Sequence, residues 1–224
     1  VKSYIDKIKT PNLPLCTSLI CSKAVKYIPK NSVLHTSILN SLRNMNFYNL
    51  DNSIDFNCNV GGFGIDGGVS TLVGQSLANY DRKCFGIIGD LAFFYDMNIL
   101  GNRDIKNNLR ILLINNNRGM EFRLNLSLEK FFGNKTDELI SAARHNGSAK
   151  NWVESCGFEY MSADNKEDFL NKVDNFFNGN YEKPVFFEVF TKLEDEQSGL
   201  ETTRLSNRNQ FEEGLIKIYK KFKG

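Results

Sequence analysis

The chain has 224 residues, with 28 basic and 26 acidic side chains, a formal net charge of +2 and a hydrophobic fraction of 41%. This composition is ordinary for a globular protein and excludes a mostly disordered chain. The small net charge argues against a nucleic-acid partner, because no basic face dominates. No apolar run approaches the ~20 residues that cross a bilayer, so we expect no membrane partner. We predict a single domain over 1–224, with 1–14 and 195–224 peripheral.

The chain begins at Val1 without a basic-then-apolar leader. We therefore expect no secretory signal. Because the first residue is not Met, we also expect the chain to be a piece of a longer protein. The five cysteines are scattered, odd in number and without a CxxC pair, which is typical of buried thiols in a reducing compartment. On this basis we expect a cytoplasmic protein. The cysteines are Cys16, Cys21, Cys58, Cys84 and Cys156.

Predicted helices and strands alternate in the first part of the chain. Apolar residues at helical spacing predict a helix over 15–28, and short apolar runs predict strands at 32–37 and 52–58. A glycine-rich loop at 61–68 then leads into a helix over 69–80, whose small residues favour close packing on a sheet.

The alternation continues in the second part. Strands predicted at 83–89 and 110–114 flank a helix over 91–100. Residues 118–147 are less regular, which is typical of a mobile substrate loop or lid. Beyond this region the pattern predicts a helix at 149–155, a strand at 158–161, a helix at 164–177, a strand at 184–190 and a helix at 206–222.

Strands that alternate with helices imply βαβ units, so we predict an α/β fold with three α/β/α layers and a mostly parallel sheet. In such sheets, ligands bind beyond the carboxyl ends of the strands. Three loops with polar side chains follow predicted strands, namely Asn40-Ser41, Gly89-Asp90 and 115–119. We therefore expect these loops at one edge of the sheet.

The clearest chemical signal combines Asp90, after one strand, with the three asparagines at 115–117, after the next. A carboxylate from one loop and an amide oxygen from its neighbour can converge on Mg²⁺, which takes few protein ligands and completes its octahedron with phosphate and water oxygens. The helix start at Leu91 and Ala92 offers backbone N–H groups to a diphosphate. Together these features predict a Mg²⁺-diphosphate site.

These residues resemble the thiamine-diphosphate motif, in which Gly-Asp after an apolar strand is followed by Asn-Asn after the next. The stretches IDGGVSTLVGQSLA, GDLAFFYDMNIL and INNNRG are similar to the C-terminal, diphosphate-binding domain of thiamine-diphosphate-dependent enzymes, over about residues 15–190. They look most like the menaquinone-biosynthesis carboligase subgroup (succinyl-enolpyruvyl-hydroxycyclohexene-carboxylate synthase). The upstream stretch LNSLRN also resembles the first cofactor loop of that enzyme. The resemblance implies a thiamine-diphosphate-binding fold, thiamine diphosphate and Mg²⁺ as cofactors, and a decarboxylase or carboligase (a lyase or transferase) acting on a 2-oxo acid.

The resemblance also implies a metal-ligand set. Asp90 would be the carboxylate ligand of Mg²⁺, Asn116 the amide ligand, and the carbonyl oxygen of Arg118 the third protein ligand. Asn117 is the alternative to Asn116, because the spacing from Asp90 is a residue shorter than is usual for the family.

The other implied cofactor contacts lie in three loops. Ile65 would be the wedge that bends the cofactor into its V shape, and the Phe63 carbonyl would accept a hydrogen bond from the aminopyrimidine. Asn40 and Ser41 would touch the diphosphate. The predicted cofactor-binding set is Asn40, Ser41, Phe63, Gly64, Ile65, Gly89, Asp90, Leu91, Ala92, Asn116, Arg118 and Gly119.

The sequence also departs from the family. The activating glutamate of the family comes from a separate pyrimidine-binding domain, so we expect no catalytic residue in this chain. We expect the rest of the polypeptide or a partner subunit to complete the site, in a homodimer or homotetramer.

Three residues at the substrate and diphosphate sites also differ from the family. Val60 stands where the menaquinone enzyme carries an arginine for its acidic substrates, Arg43 resembles a second family arginine but is offset, and Ala92 replaces a hydroxyl residue. We therefore expect a relative that acts on another 2-oxo acid.

Two other functions stay open at this stage. The same fold could serve a non-catalytic binding or assembly subunit, or a flavodoxin-like nucleotide binder. His145 could touch substrate, whereas His35 is expected in the core or on the surface. Glu121 lies just past the metal loop, where a substrate could reach, but we assign it no role.

Several polar and aromatic residues receive structural interpretations. Asp66 is interpreted as a helix cap, and Asp96 as a residue that packs its helix. We expect the phenylalanines of 122–132 in the core and the acidic run 194–196 in a solvated turn.

Overall fold

Six parallel strands form the sheet at the centre of the molecule. The computed structural model describes residues 11–124, 130–138 and 144–206. The strands pair in the order β2-β1-β3-β4-β6-β5, and every pair is parallel. They are β1 (Val33–Thr36), β2 (Asp55–Cys58), β3 (Cys84–Gly89), β4 (Leu109–Asn115), β5 (Glu159–Ala163) and β6 (Val185–Phe190).

Helices cover both faces of this sheet, which confirms the predicted three-layer α/β/α fold. The α-helices are α1 (Thr17–Tyr27), α2 (Asn40–Met45), α3 (Gly68–Ala78), α4 (Asp90–Asp96), α5 (Glu121–Leu124), α6 (Lys150–Ser155), α7 (Lys166–Asn178) and α8 (Leu193–Ser206). Two 3₁₀ helices, Met97–Gly101 and Gly133–Glu138, complete the regular elements that we use below. The helix predicted over 91–100 is therefore divided between α4 and the first 3₁₀ helix.

The apolar core has two parts, one on each face of the sheet. Along β4, Leu109, Ile111 and Leu113 pack with α3, α4 and α6, whereas Leu112 and Ile114 pack with α1 and α7. Because both faces are covered, β4 is buried over its whole length, as its continuous apolar run indicates. Each fully buried side chain of this kind contributes about 1.5–3 kcal/mol to stability.

The close approach of α3 to the sheet depends on a strand glycine. A Cβ atom added to Gly86 on β3 would lie 2.4 Å from the Leu72 Cδ2 atom of α3. Gly74 of the helix has open space around it. The glycine of the facing strand allows this contact, and the helix also buries its small residues Gly68 and Ser76.

The acidic run at 194–196 does not form a solvated turn, and that interpretation was wrong. It is the first turn of α8, and Glu196 is buried with 2% exposure. The Glu196 carboxylate accepts hydrogen bonds from the Thr17 amide, the Thr17 hydroxyl and the Thr191 hydroxyl. Burial raises the pKa of Glu196, and these hydrogen bonds oppose that shift. The helix predicted at 206–222 lies outside the described residues.

All five cysteines are free thiols, three of them buried and two half-buried. Burial raises the pKa of Cys16 to about 12, so it stays a protonated, packed thiol. Within the described ranges, no helix combines the length and apolar character that crossing a membrane requires.

Candidate cofactor and metal site

A cavity of about 960 Å³ opens at the carboxyl ends of β1, β3 and β4. Its position follows from the strand register, because Thr36 pairs with Ile87 and Gly89 pairs with Ile114 along one edge. The cavity is lined by eleven of the twelve predicted cofactor-binding residues, all except Gly64. These are Asn40, Ser41, Phe63, Ile65, Gly89, Asp90, Leu91, Ala92, Asn116, Arg118 and Gly119.

Asp90 joins two of these loops. Its side chain is almost fully buried, with 2% exposure for the residue. One carboxylate oxygen, Oδ2, accepts a hydrogen bond from the backbone N–H of Asn116 at 3.0 Å. The other, Oδ1, accepts one from the backbone N–H of Leu91 at 2.7 Å. The Leu91 N–H is thus donated to Asp90 in this structure, and its contact with a diphosphate stays a prediction.

The side chain of Asn116 carries one of several buried polar atoms that have no hydrogen-bond partner among the described residues. Its Oδ1 atom is buried and makes no hydrogen bond, although buried polar atoms are almost always paired. An amide oxygen without a donor, on a residue whose backbone amide binds a buried carboxylate, suits a hard cation that ligates oxygen. In the described residues, no group of three or more His, Cys, Asp or Glu could hold a metal by itself. An ion here would use one carboxylate, one amide oxygen, a backbone carbonyl and oxygens from a bound diphosphate.

His145 contacts the same carboxylate. Its Nδ1 atom accepts the Gly147 amide at 3.1 Å, so the ring proton is assigned to Nε2, which donates to Asp90 Oδ2 at 3.2 Å. The ring packs edge-on against Phe94, with centroids 5.1 Å apart. His145 thus adds a third hydrogen bond to Asp90, and its contact with substrate stays a prediction.

A second carboxylate–asparagine pair lies beside the first. The Asn115 side-chain amide donates to Glu188 Oε1 at 2.8 Å and to the Gly147 carbonyl at 2.9 Å, and its Oδ1 accepts the Asn117 amide at 3.2 Å. Asn117 has a φ of +65°, in the left-handed region that Asn tolerates. Asn115 therefore holds the turn at 115–117, which carries the predicted metal ligands, in shape.

Glu188 is itself fully buried on β6. Besides Asn115, it accepts the Tyr160 hydroxyl at 2.8 Å, the Ser148 hydroxyl at 2.7 Å and the Ala149 amide at 3.1 Å. Burial and the neighbouring Glu188 raise the pKa of Tyr160 to about 12, so the hydroxyl stays protonated and donates. The predicted ligand loop is anchored to the core through this network.

The α2 side of the cavity is tied to the other loops by hydroxyl groups. The Ser37 hydroxyl donates to Ser41 Oγ at 3.0 Å and accepts the Gly89 amide at 3.1 Å. Asn40 donates to the Thr17 hydroxyl at 3.3 Å. Leu39, just before α2, has a φ of +69°, which is costly for a branched side chain and marks a strained backbone at the cavity wall.

The start of α3 is capped differently from the prediction. The N-cap residue is Gly67, with a φ of +76°, which has no side chain to cap the helix. Asp66, which we interpreted as the cap, lines the cavity instead. Asp96 of α4 accepts the Ser70 amide at 2.6 Å and the Ser70 hydroxyl at 2.5 Å, and so satisfies the first turn of α3 from a neighbouring helix.

Two charged side chains of the cavity lining, Glu121 and Arg118, form ion pairs. Arg43 makes two hydrogen bonds to Glu121, Nη1 to Oε2 at 2.7 Å and Nη2 to Oε1 at 3.0 Å. Arg118 pairs with Asp137 at 2.5 Å. Phe63, which lines the cavity, is 71% exposed, whereas Val60, at 53% exposure, lies outside the lining. The described wall therefore combines paired charges with apolar side chains.

The aromatic residues that we expected in the core differ from one another. Phe122 lines the cavity, whereas Phe131 and Phe132 are 85% and 46% exposed, so the core prediction was wrong for these three. His35 is buried on β1, in agreement with one of its two expected environments. The predicted lid contains α5 and the second 3₁₀ helix, and its residues 125–129 and 139–143 lie outside the described residues.

Several residues that line the cavity were not predicted as site residues from the sequence. Ser37 carries a usable signal, since it is a hydroxyl residue at the end of a strand that meets the same edge. Tyr95 lies four residues after Leu91 and so shares its helix face. The others come from parts of the chain far apart in sequence. The missed lining residues are Thr17, Ser37, Ile38, Leu39, Tyr95, Ile114, Met120 and Glu138.

Residues 39–189 match the family model described as "Thiamine pyrophosphate enzyme, C-terminal TPP binding domain". The curated relatives include 2-succinyl-5-enolpyruvyl-6-hydroxy-3-cyclohexene-1-carboxylate synthase of Bacteroides thetaiotaomicron, 35% identical over 191 residues, which cover 85% of this chain and 34% of the relative. The synthase of the same name from Christiangramia forsetii is 40% identical over 174 residues, or 75% of this chain and 29% of the relative.

Among solved structures, the thiamine diphosphate-dependent 4-hydroxybenzoylformate decarboxylase of Rhodococcus jostii RHA1 has a similar fold, with a TM-score of 0.65 at 17% identity. The match covers 83% of this chain and 34% of that structure. The chain therefore spans about a third of the length of the curated relatives it matches. Because the family model covers well over half of the sequence, the chain belongs to the thiamine pyrophosphate enzymes, as their C-terminal TPP binding domain.

Proposed function

We propose that this chain binds the diphosphate of thiamine diphosphate through Mg²⁺, within a decarboxylase or carboligase that acts on a 2-oxo acid. The observation that carries the proposal is the buried Asp90 carboxylate, which accepts the Asn116 backbone amide, together with the buried Asn116 side-chain oxygen that has no donor. A pyrimidine-binding domain, from the rest of the polypeptide or from a partner subunit, would supply the activating glutamate. The relatives' names support an enzyme of this class, and a homodimer or homotetramer is the proposed assembly.

The electrostatics of the cavity support a cation-mediated site. Its described lining includes four carboxylates, those of Asp66, Asp90, Glu121 and Glu138, and one cation, Arg118. Arg118 is already paired with Asp137. A diphosphate entering this cavity unaccompanied would meet net negative charge, whereas a divalent ion held by Asp90 would reverse the sign of the interaction.

The residues present fit the two cofactors. Asp90, Asn116 and the Arg118 carbonyl would hold the ion, and Asn40, Ser41 and neighbouring backbone would contact the diphosphate. Ile65 would support the bend of the cofactor. When bound, thiamine diphosphate supplies the electron sink that carbanion chemistry on a 2-oxo acid requires. The contribution of this chain is to bind and orient that group and to exclude water from it.

The proposal is tested by calorimetry on the native protein that contains this chain. Thiamine diphosphate should bind in the presence of Mg²⁺ and lose most of its affinity in EDTA. Asp90→Asn should weaken binding at least about 100-fold, or about 2.7 kcal/mol. Asp81→Asn, which removes the same charge from an exposed position just before β3, is the matched control and should bind normally.

A result of no binding, or of binding that Asp90→Asn leaves unchanged, would overturn the proposal. The isolated chain should bind more weakly than the native protein, since it supplies only part of the site. Tight binding without turnover of any 2-oxo acid would favour the alternative, a non-catalytic subunit with the same fold.

A further inference from the structure

We infer that the Glu121–Arg43 ion pair makes this site selective for 2-oxo acids whose distal end is uncharged. The inference rests on the proposed function and adds a substrate class to it. Glu121 is the first residue of α5, just beyond the predicted ligand loop, and its side chain lines the cavity. Arg43 lies on α2, the helix that follows β1.

The ion pair fixes both groups. Two parallel hydrogen bonds, at 2.7 and 3.0 Å, give the bidentate geometry that Arg and a carboxylate favour. Side-chain exposures are 34% for Arg43 and 22% for Glu121, so the pair is partly shielded from solvent. Arg43 is therefore committed to Glu121, and the group that faces the cavity is the carboxylate.

The other charges nearby offer no replacement. Among the described residues that line the cavity, the cation is Arg118, and its guanidinium is held by Asp137. Glu138 and Asp66 add further carboxylates to the lining. A second carboxylate on a substrate would meet like charge here, and such repulsion is an effective way to reject a ligand.

Apolar side chains supply the complementary surface. Ile65, Met120 and Phe122 line the cavity together with the exposed rings of Phe63 and Tyr95. An aliphatic or aromatic substrate chain would gain burial against these groups, whereas a carboxylate would lose its hydration without a partner. Both effects act in the same direction, toward an uncharged distal group.

The test uses two substrates of similar shape that differ in charge, 2-oxoglutarate and 5-methyl-2-oxohexanoate. The readout is kcat/KM for CO₂ release by the native enzyme with thiamine diphosphate and Mg²⁺. The wild type should prefer the uncharged substrate at least tenfold. Glu121→Gln leaves Arg43 without its anion and should shift the ratio at least tenfold toward 2-oxoglutarate.

Two further variants separate selectivity from a structural role. Arg43→Gln leaves the Glu121 carboxylate unpaired and should shift the ratio away from 2-oxoglutarate. Glu154→Gln, which removes the same charge from an exposed position on α6, should leave the ratio within twofold. If the pair merely joined α2 to α5, Glu121→Gln and Arg43→Gln would lower both kcat/KM values equally, and the inference would be overturned.

The remaining outcomes are also decisive. A wild type that prefers 2-oxoglutarate, or one that binds thiamine diphosphate but releases CO₂ from neither substrate, overturns the substrate class and leaves cofactor binding intact. Absence of Mg²⁺-dependent cofactor binding by calorimetry overturns the proposed function itself, and the inference with it.

Discussion

Two carboxylate–asparagine pairs lie side by side at the carboxyl edge of the sheet, and they differ in how completely they are hydrogen-bonded. In the Glu188–Asn115 pair, the glutamate accepts four hydrogen bonds and both ends of the asparagine side chain are used. In the Asp90–Asn116 pair, the Asn116 oxygen is buried without a donor.

This difference in hydrogen bonding supports different roles for the two pairs. A closed network of buried polar groups stabilises one backbone conformation, because every donor has its acceptor. An open acceptor costs free energy unless something else satisfies it. Glu188–Asn115 therefore holds the loop in shape, and we propose that Asp90–Asn116 holds a ligand.

The largest effect is expected from opening the closed pair. Glu188→Ala would leave Asn115, Tyr160, Ser148 and the Ala149 amide without their acceptor, and should cost about 3–5 kcal/mol of unfolding free energy. Urea denaturation measures this loss. Glu154→Ala at an exposed position should cost no more than about 0.5 kcal/mol. A loss under about 1 kcal/mol for Glu188→Ala would mean that the network is not structural.

A smaller effect with the opposite pattern is expected from Asn116→Ala. Its Oδ1 atom has no partner and its backbone amide still donates to Asp90, so stability should change by less than about 1 kcal/mol. The Mg²⁺-dependent affinity for thiamine diphosphate should fall 10- to 100-fold, or about 1.4–2.7 kcal/mol by calorimetry. Unchanged affinity together with a large stability loss would place Asn116 among the structural residues.

The buried His35 allows a test through pH. Burial lowers the pKa of its imidazole below the ordinary 6.5, and the side chain of Gln75 opposes only part of that shift. As pH falls below about 6.5, the unfolded chain binds the proton first, so stability is complete above this pH and declines below it. Urea denaturation at pH 7.5 and 5.5 should show a smaller decline for His35→Gln than for the wild type. Equal declines would contradict burial as the cause.

The smallest effect is expected from Asn117→Gly. Glycine tolerates the φ of +65° at this position, so the turn is kept while the alternative amide ligand is removed. If Asn116 is the ligand, Mg²⁺-dependent affinity should stay within about twofold of the wild type. A tenfold loss would move the assignment to Asn117, the alternative that the spacing in the sequence left open.

Local patterns in the sequence were enough to predict the strand and helix alternation and the edge at which the loops meet. Apolar runs such as that of β4 report burial on both faces, and the positions of Asn40, Asp90 and Asn116 after strands follow from the parallel topology. The family resemblance then supplied the expected roles. These inferences need only the order of residues along each element.

Contacts between distant parts of the chain could not be predicted in this way. The sequence pattern predicts a solvated Glu196. In the structure its carboxylate is buried, with hydrogen bonds from Thr17, near the start of the described fold, and from Thr191. Asp96 caps α3 from another helix, so the nearby Asp66 was the wrong choice. Glu188 interrupts an apolar strand for a reason that only the four donors around it explain.

The central claim is that Asp90 and Asn116 share one divalent ion that binds the cofactor diphosphate. Anomalous diffraction from the native protein crystallised with thiamine diphosphate and Mn²⁺ in place of Mg²⁺ tests it most directly. We expect a single strong peak at about 2.0–2.2 Å from an Asp90 carboxylate oxygen and from Asn116 Oδ1, with diphosphate oxygens completing the octahedron. A cofactor bound in this cavity with no peak between those two side chains, or with the peak on other residues, would contradict the claim.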